Sequence, residues 1–487
     1  MMWTVKLLIC CLALRFSLAL LFPSPEHNIE LEIAQGKLRG LINITEYRCI
    51  VFYSFRGIPY AKPNVGRDRF NVAVPLDSWS GTLDATKHGN SCACLLQKIM
   101  IGNEDCLFLN VYTPDLNTTA NRAVMVYIHG GGFFFGSGDD LLFGPDFLVE
   151  NDIVMVSINY RLGVIGFLNT GDASAPGNIG LKDQNLALKW VKKNIIHFGG
   201  SPDRVTIFGQ SAGAASVHYH ILSPMSKGLF KGAILQSGAA MNPWAFTHTP
   251  QANAMSLANT LGINVTNTTE LVDKLKDTSI EELLMAAHKE LSPKTLGFFA
   301  PSVEVNVGQE IFLPDDPWKL LTSGNISDVP IMTGITENEF GLIGMRLVLP
   351  FGNPKDSLSD LIPPDLNVTD DAFKNLTTEN IRQFYFNGLS EVTNVSDASN
   401  LYNDLLINNG LLFSAGIMNA RISSPVYEYL FSFNTSSSLM KHFMPIASGV
   451  VHCDELGLLF YTPLLNNLPE PGSLEQQKLD EMLEMWT

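Results

Sequence analysis

The chain contains 487 residues, of which 46% are hydrophobic and 16% are charged, and its formal net charge is −16 at pH 7. A chain of this length and composition can bury a large core as one α/β domain, although length alone would also allow two or three domains. The negative charge argues against nucleic acid and anionic membranes as partners.

Residues 1–19 have the pattern of a secretory signal peptide. A lysine precedes an apolar run at residues 7–14, and Ser17 and Ala19 form a small-residue cleavage pattern. Arg15 interrupts the apolar stretch and leaves the cleavage position open. The run is too short to span a bilayer, and no later stretch is long and apolar enough either. We therefore expect a secreted, extracellular protein whose folded domain covers residues 20–487.

Nine Asn-x-Ser/Thr sequons follow the predicted signal peptide, and in a secreted protein such sequons are candidate glycosylation sites. Three of them lie in a polar stretch with weak periodicity between Pro354 and Asn400, which indicates a glycosylated surface region. The nine are Asn43, Asn117, Asn264, Asn267, Asn325, Asn367, Asn375, Asn394 and Asn434.

A strand-like segment at residues 124–128 leads into His129 and three consecutive glycines. Glycines let backbone N–H groups approach a carbonyl oxygen closely, as an oxyanion hole requires. The triglycine lacks the Lys-Ser/Thr ending of a phosphate-binding loop. We assign the oxyanion hole to the N–H groups of Gly131, Gly132 and Ala212.

The pentapeptide Gly-Gln-Ser-Ala-Gly at residues 209–213 lies between a strand-like run at residues 205–208 and a helix-like run at residues 212–222. A tight strand-to-helix turn of this kind is a nucleophile elbow, in which small residues tolerate the crowding around a strained serine. The pattern predicts that Ser211 is a nucleophile. A serine hydroxyl needs a general base, normally a histidine oriented by a carboxylate.

Among ten histidines, His452 is the best candidate for the base because it lies in a turn far downstream of the elbow, in the order Ser, acid, His. His129 is more consistent with a structural role. His218 and His220 are two positions apart on a predicted helix, so they face different directions and do not form a metal pair. No Cys/His spacing indicates zinc, and we expect no metal and no cofactor.

The acid should lie between the nucleophile and the base. Residues 330–334 read as a short buried strand, and the loop at its carboxyl end carries Glu337 and Glu339. Glu339 is favoured, Glu337 is the local alternative, and Asp404 is a weaker candidate.

At this point the chain resembles the type-B carboxylesterases, the α/β-hydrolase group that includes the cholinesterases and insect esterases. The resemblance runs from about residue 29 to the end. It is carried by FRGIPYA at 55–61 with Arg69-Phe70, EDCLFLN at 104–110, NYR at 159–161, GLKDQ at 180–184 and FGG at 198–200. It implies the α/β-hydrolase fold, a single domain with a large, mostly parallel twisted sheet and helices on both faces.

By the same resemblance, the catalytic triad is Ser211, Glu339 and His452, and the triglycine contributes to the oxyanion hole. Ser237 corresponds to a serine that supports the triad. The resemblance further implies two internal ion pairs, Arg56–Glu104 and Arg161–Asp183.

The resemblance also bears on cysteines and substrate. It implies a disulfide between Cys92 and Cys106, with Cys94 as an alternative partner, and the loop between them lacks the tryptophan with which cholinesterases bind choline. A choline-specific enzyme is therefore not expected. The residues that correspond to the substrate pocket are aromatic and favour an apolar acyl or alcohol group: Phe133, Trp244, Phe298 and Phe299.

Three departures from the family pattern stand out. Gln210 replaces the usual glutamate before the nucleophile, and together with the Gly-x-x-His-x-x-Glu pattern ending at Glu455 it resembles the juvenile hormone esterases. Phe340 replaces the glycine that usually follows the acid. The chain ends inside an amphipathic helix opened by a Ser473…Gln476 capping box, where family members continue, so we expect a domain truncated at its C-terminus.

The sequence therefore predicts a secreted serine carboxylesterase that acts on small-molecule esters. A hormone-specific esterase is the alternative within enzymes. A non-catalytic binding protein on the same scaffold, like the neuroligins, is the alternative of another class.

Overall fold

A computed structural model of the protein describes residues 28–96, 98–290, 298–340, 358–362, 370–388, 395–443 and 449–487. The predicted signal peptide, Asn367 and Asn394 lie outside these residues. Within them, no helix combines the length and the apolar character needed to cross a membrane.

Thirteen strands are present in the described residues. They are β1 (Asn28–Ile33), β2 (Gly36–Ile44), β3 (Val51–Pro59), β4 (Thr82–Asp84), β5 (Cys94–Leu96), β6 (Ile99–Ile101), β7 (Phe108–Thr113), β8 (Arg122–Ile128), β9 (Val154–Ile158), β10 (Gly200–Gln210), β11 (Gly232–Gln236), β12 (Ile331–Thr336) and β13 (Val426–Phe431).

Thirteen α-helices accompany them in the same part of the chain. They are α1 (Asp146–Val149), α2 (Gly163–Phe167), α3 (Ile179–Asn194), α4 (Ala212–Leu222), α5 (Pro250–Thr260), α6 (Thr268–Asp277), α7 (Ile280–Glu290), α8 (Pro317–Ser323), α9 (Asp371–Phe386), α10 (Val395–Asn403), α11 (Asn409–Arg421), α12 (Leu439–Phe443) and α13 (Leu474–Trp486). A π-helical turn, Asp404–Asn408, joins α10 to α11.

Eleven of the described strands form one sheet in the order β1-β2-β3-β7-β9-β8-β10-β11-β12-β13, with β4 beside β2, and β5 and β6 form a separate hairpin. The sheet is mixed. It is parallel from β9 through β8 to β13 and antiparallel from β1 to β9. The antiparallel half arises because β1, β2 and β3 are joined by short turns, whereas parallel neighbours need long crossover connections.

The side chains of β8 point alternately to the two faces of the sheet, and they show that the sheet separates two apolar cores. Val124, Val126 and Ile128 pack in one apolar cluster, together with α3 and α4. Met125 and Tyr127 point the opposite way and pack in a second cluster, together with α1 and α13. Helices therefore cover both faces, which confirms the expected α/β-hydrolase architecture and explains why this strand reads as an uninterrupted apolar run.

The registers of the parallel half bring the strand ends to one edge. Gly209 of β10 lies opposite Ile128 of β8, and Gln210 lies opposite Gln236 of β11. Gln236 in turn lies opposite Gly334 of β12. The residues that follow each strand therefore meet at this edge, where open α/β sheets place their binding crevices.

The two expected ion pairs have different outcomes. Arg161 and Asp183 form a buried pair with a shortest N···O distance of 2.6 Å. The other expectation is wrong, because Glu104 pairs with Arg69 at 2.8 Å. Arg56 instead approaches Asp140 at 3.2 Å. Arg56 lies within the FRGIPYA motif and Arg69 lies shortly after it, so sequence position alone did not distinguish which one reaches the carboxylate.

Cys92 and Cys106 form a disulfide bond, and Cys94, the alternative partner, is a free buried thiol. The bond closes the loop that carries the β5–β6 hairpin. At the other end of the chain, α13 begins after Ser473, whose side chain accepts a hydrogen bond from the Gln476 amide at 3.1 Å. The predicted N-cap is therefore present.

Candidate active site

Ser211 occupies the turn between β10 and α4, with φ 60° and ψ −123°. Such a backbone conformation is strained for a residue with a side chain and is retained only when its surroundings hold it. One such contact is the hydrogen bond from the Ser211 amide to the Gln236 carbonyl of β11, at 2.8 Å. The side chain is half-buried, so a small molecule can reach it.

Three glycines make room for this turn. A Cβ on Gly213 would lie 1.9 Å from the Ile128 carbonyl oxygen, and one on Gly209 would lie 2.5 Å from the backbone of Gly213. A Cβ on Gly238 would lie 2.2 Å from the Ser211 carbonyl oxygen. The first two contacts are the physical basis of the predicted pentapeptide. The third, at a distant position, was not predicted.

Glu339 and His452 are in direct contact, with the Oε2 of the carboxylate 2.6 Å from Nδ1 of the imidazole. The His452 amide also donates to the Glu339 carbonyl oxygen at 2.9 Å. Neither alternative carboxylate takes this place: Glu337 is exposed, and Asp404 accepts hydrogen bonds from Tyr385 and Asn408.

The second oxygen of Glu339 is held by two donors. Oε1 accepts from the Ser237 hydroxyl at 2.6 Å and from the Thr336 amide at 2.7 Å. Ser237 follows β11 and Thr336 ends β12, so the carboxylate is anchored to two adjacent strands. Its orientation toward His452 is therefore set by the sheet.

The other imidazole nitrogen of His452 faces Gln210, since the two Nε2 atoms are 2.9 Å apart. With Nδ1–H donating to Glu339, the remaining Nε2 carries a lone pair, and the amide of Gln210 donates to it. Among the described contacts, this donor takes the position that a nucleophilic hydroxyl would use. The sequence marked Gln210 as unusual but did not predict this hydrogen bond.

The glycine loop after β8 adopts a backbone conformation that residues with a side chain rarely take. Gly131 and Gly132 have φ values of 107° and 61°, and a Cβ on Gly131 would lie 2.0 Å from the Phe135 carbonyl oxygen. Ala212 is the first residue of α4, where backbone N–H groups lack an intrahelical partner.

His129, which precedes this loop, is buried against Tyr160, with ring centroids 4.5 Å apart. Burial lowers the pKa of His129 to about 4. His218 and His220 are likewise fully buried, and burial lowers the pKa of each to about 3. All three are neutral at physiological pH. No cluster of metal-ligating side chains occurs within the described residues.

The predicted pocket aromatics divide into two groups. Phe133 is fully buried and packs edge-on against Phe167, with its ring centroid 6.3 Å from that of half-buried Trp244. Phe298 and Phe299 contact each other edge-to-face, with centroids 4.9 Å apart, and both are buried. All four belong to or pack against the same core cluster.

A second carboxyl group lies buried close behind this edge of the sheet. Glu455 accepts a hydrogen bond from the Gln236 amide group at 3.2 Å. Burial, together with the negative charge of Glu339, raises the pKa of Glu455 to about 8. Burial also raises the pKa of the neighbouring Cys453 thiol, which keeps that cysteine protonated and unreactive.

The sequence profile described as "Carboxylesterase family" matches residues 27–487. The chain belongs to this family. As a carboxylesterase it is a carboxylic ester hydrolase, which agrees with the strand-edge geometry described above.

Several curated relatives of this carboxylesterase come from insects. Esterase FE4 of Myzus persicae is 38% identical over 454 residues, which span 89% of this chain and 79% of that protein. A juvenile hormone esterase of Tribolium castaneum is 35% identical over 489 residues, which span 93% of this chain and 82% of that protein.

A solved structure is similar over most of the carboxylesterase fold. It is the crystal structure of juvenile hormone esterase from Manduca sexta with OTFP covalently attached. The TM-score is 0.83 and the identity 30%, with 94% of this chain and 88% of that chain covered.

Proposed function

We propose that this carboxylesterase is a secreted serine hydrolase with Ser211 as nucleophile, His452 as general base and Glu339 as the carboxylate that orients it. The contact between Glu339 and His452 supports this assignment most strongly. It holds the imidazole in the tautomer whose Nε2 can accept a proton.

In the proposed reaction, Ser211 Oγ attacks the ester carbonyl carbon while His452 Nε2 takes the hydroxyl proton. The oxyanion accepts hydrogen bonds from the N–H groups of Gly131, Gly132 and Ala212. His452 then protonates the leaving alkoxide, and an acyl-enzyme remains. A water molecule, deprotonated by the same imidazole, attacks the acyl carbon, and His452 then returns this proton to the departing Ser211 Oγ as the acid is released.

The Gln210 contact defines an early step of this proposal. Because the Gln210 amide donates to the Nε2 lone pair, Ser211 must replace it as the donor before its proton can transfer. Catalytic hydrogen bonds often tighten only when substrate is bound. Formation of the Ser211–His452 hydrogen bond would then accompany substrate binding.

The substrates we propose are esters with an apolar acyl or alcohol group, because the four candidate pocket residues are aromatic: Phe133, Trp244, Phe298 and Phe299. A juvenile hormone-like ester is the second candidate. Neutral Gln210 and the juvenile hormone esterases among the similar proteins favour it. A large preference in kcat/KM for a methyl ester of a long terpenoid acid over p-nitrophenyl acetate would support this narrower role.

Secretion would expose the sequons to glycosylation. Six of the sequon asparagines within the described residues are exposed: Asn117, Asn264, Asn267, Asn325, Asn375 and Asn434. Asn43 differs, because it is half-buried in β2 and its Nδ2 atom, to which a glycan would be attached, donates to Ser54 Oγ at 2.7 Å. We propose glycans on the exposed sites and none on Asn43. Mass spectrometry of glycopeptides from the secreted chain tests this, and an occupied Asn43 would contradict it.

The first experiment compares the secreted chain with Ser211→Ala for hydrolysis of p-nitrophenyl acetate. Turnover in the parent and its loss in the variant would support the proposal, because the members of a triad act as a unit. Activity retained by Ser211→Ala would refute the assignment. A folded parent without turnover would favour the binding-protein alternative.

A second pair of variants tests the acid. Glu339→Gln is expected to lower kcat by about 10⁴-fold while the chain stays folded, by analogy with the loss of a triad carboxylate. Glu337→Gln is the matched control, because Glu337 is exposed in the same loop. Equal losses in the two variants would remove Glu339 from its proposed role.

A further inference from the structure

The aromatic ring of Phe340, the residue after Glu339, lies against the imidazole of His452. The ring centroids are 5.6 Å apart and the planes differ by 19°, which is a stacked arrangement. We propose that Phe340 is a positioning residue that holds the His452 ring at its working tilt. This proposal rests on the proposed role of His452 as general base.

The two hydrogen bonds of the His452 side chain leave one motion of the ring weakly restrained, namely the tilt of its plane. Glu339 and Gln210 bind Nδ1 and Nε2, the two nitrogens at the edge of the imidazole. These hydrogen bonds restrain rotation within the plane, but they resist tilting of the plane only weakly because hydrogen-bond angles are soft near linearity. A ring packed on the imidazole face opposes that tilt directly.

Phe340 is itself held firmly enough to act in this way. Its amide donates to Asn403 Oδ1 at 2.8 Å, and Asn403 Nδ2 donates to Asn338 Oδ1 at 2.9 Å. Asn403 at the end of α10 therefore binds the backbone on one side of Glu339 and a side chain on the other. The ring is 9% exposed.

The packing around Phe340 connects it to the predicted pocket wall. Its cluster contains Tyr402, Leu406 and Ile407, and half-buried Trp244 packs against the cluster. Trp244 Nε1 also donates to the Leu406 carbonyl oxygen at 2.7 Å. Leu406 lies in the π-helical turn, a type of irregularity that occurs often at functional sites.

This cluster gives Phe340 a role that a smaller side chain could not fill. The face of the His452 imidazole packs against the Phe340 ring. The other neighbours of this ring include residues of the π-helical turn and the predicted pocket residue Trp244. Loss of the ring should therefore reduce the fraction of imidazoles aligned for proton transfer, with little change in substrate binding. The expected signature is a lower kcat at a nearly constant KM.

Phe340→Leu and Phe340→Tyr test the proposal in the full secreted chain with p-nitrophenyl acetate. Phe340→Leu should lower kcat by about fivefold with KM within about twofold of the parent, and Phe340→Tyr should restore kcat. Phe386→Leu is the matched control, because Phe386 is 3% exposed and packs in a separate cluster. It should lower the Tm without changing kcat.

A measurement independent of activity is the downfield proton NMR resonance of the Nδ1–H between His452 and Glu339. It should be sharp in the parent and in Phe340→Tyr, and broadened or lost in Phe340→Leu. Should Phe340→Leu fail to fold, Phe340→Met, which keeps an apolar flexible side chain of similar size, takes its place.

The outcomes separate this proposal from the proposed function. Unchanged kcat and an unchanged resonance in the ring-deleted variant would overturn the positioning role while Ser211 remains the nucleophile. If the parent shows no turnover, the proposed function fails, and the resonance alone decides whether Phe340 orients the imidazole. A loss in Phe340→Tyr equal to that in Phe340→Leu would also overturn the proposal.

Discussion

The carboxylate of Glu339 lies 2.6 Å from the imidazole of His452, although 113 positions separate them in the chain. Two backbone hydrogen bonds join the same loops: His452 donates to the Glu339 carbonyl oxygen, and Asn338 donates to the Val450 carbonyl oxygen, both at 2.9 Å. The pairing of the side chains is therefore supported by the backbone, and the loss of a single side chain should not separate the loops.

Ser237→Ala should lower kcat about tenfold, because it removes the hydroxyl that donates to Glu339 Oε1, a hydrogen bond to a charged acceptor. KM should change little, since the carboxylate does not contact substrate. Thr336→Val is the matched control. The Thr336 hydroxyl has no partner among the described residues, and the backbone N–H that binds Glu339 is kept. Steady-state kinetics of both variants check this, and an equal effect of the two would contradict it.

Gln210→Glu should depress activity most strongly at acidic pH. The amide that donates to the His452 lone pair becomes a carboxylate, which favours the protonated imidazole that cannot act as a base. The acid limb of the kcat/KM profile should therefore move to higher pH. Gln210→Met, which removes the donor without adding charge, should move the acid limb less than Gln210→Glu does. Parallel profiles for all three proteins would show that the contact does not influence the base.

Arg161→Met should destabilise the fold by about 3–5 kcal/mol, because it leaves the fully buried Asp183 carboxylate without its partner. Arg67→Met removes an exposed arginine that lies 3.1 Å from Asp273, and it should destabilise the fold far less than Arg161→Met does. Urea denaturation gives both values. A double variant of Arg161 and Asp183 that is no less stable than Arg161→Met would confirm that the unpaired charge causes the loss.

Glu455 should make a contribution to stability that falls as the pH rises from 6.5 to 8. Burial raises the pKa of Glu455 from 4.5 to about 8, so the folded state holds a proton that the unfolded chain has already released in this range. Each such group changes the free energy of unfolding by at most about 1.4 kcal/mol per pH unit.

The buried histidines affect stability mainly in a lower pH range. Burial lowers the pKa values of His129, His218 and His220 below 6.5, so these residues cost stability as the pH falls toward and below that value. They therefore make stability rise with pH around pH 6.5, and this contribution fades as the pH approaches 8. Glu455→Gln should remove only the falling contribution, so the slope of Tm against pH should be more positive in the variant than in the parent, and identical slopes in the two proteins would contradict the role of Glu455.

The strand-to-helix turn at Ser211 is present as the sequence predicted, because its signals are local. The elbow needs glycine at positions 209 and 213 for steric reasons that operate within one turn and its neighbouring strand. The β8 and β10 strands and the α4 helix are equally visible as apolar periodicity. These elements could be predicted from a few consecutive residues each.

Contacts between distant segments were predicted less well. Arg56 lies within the FRGIPYA motif and Arg69 lies shortly after it, and only the folded chain shows that Arg69 reaches Glu104. The stacking of Phe340 on His452 and the hydrogen bond from Gln210 had no sequence signal beyond an unusual residue type at each position.

The sequence by itself determined the fold class, the family and the set of groups that we propose for catalysis, because each depends on residue types at fixed local spacing. The tertiary structure decided which of three carboxylates contacts His452, which arginine pairs with Glu104, and which side chains surround the imidazole. The contacts of His452 depend on how strand ends converge at one edge of the sheet, because this convergence brings together side chains that are 113 and 242 positions apart in the chain.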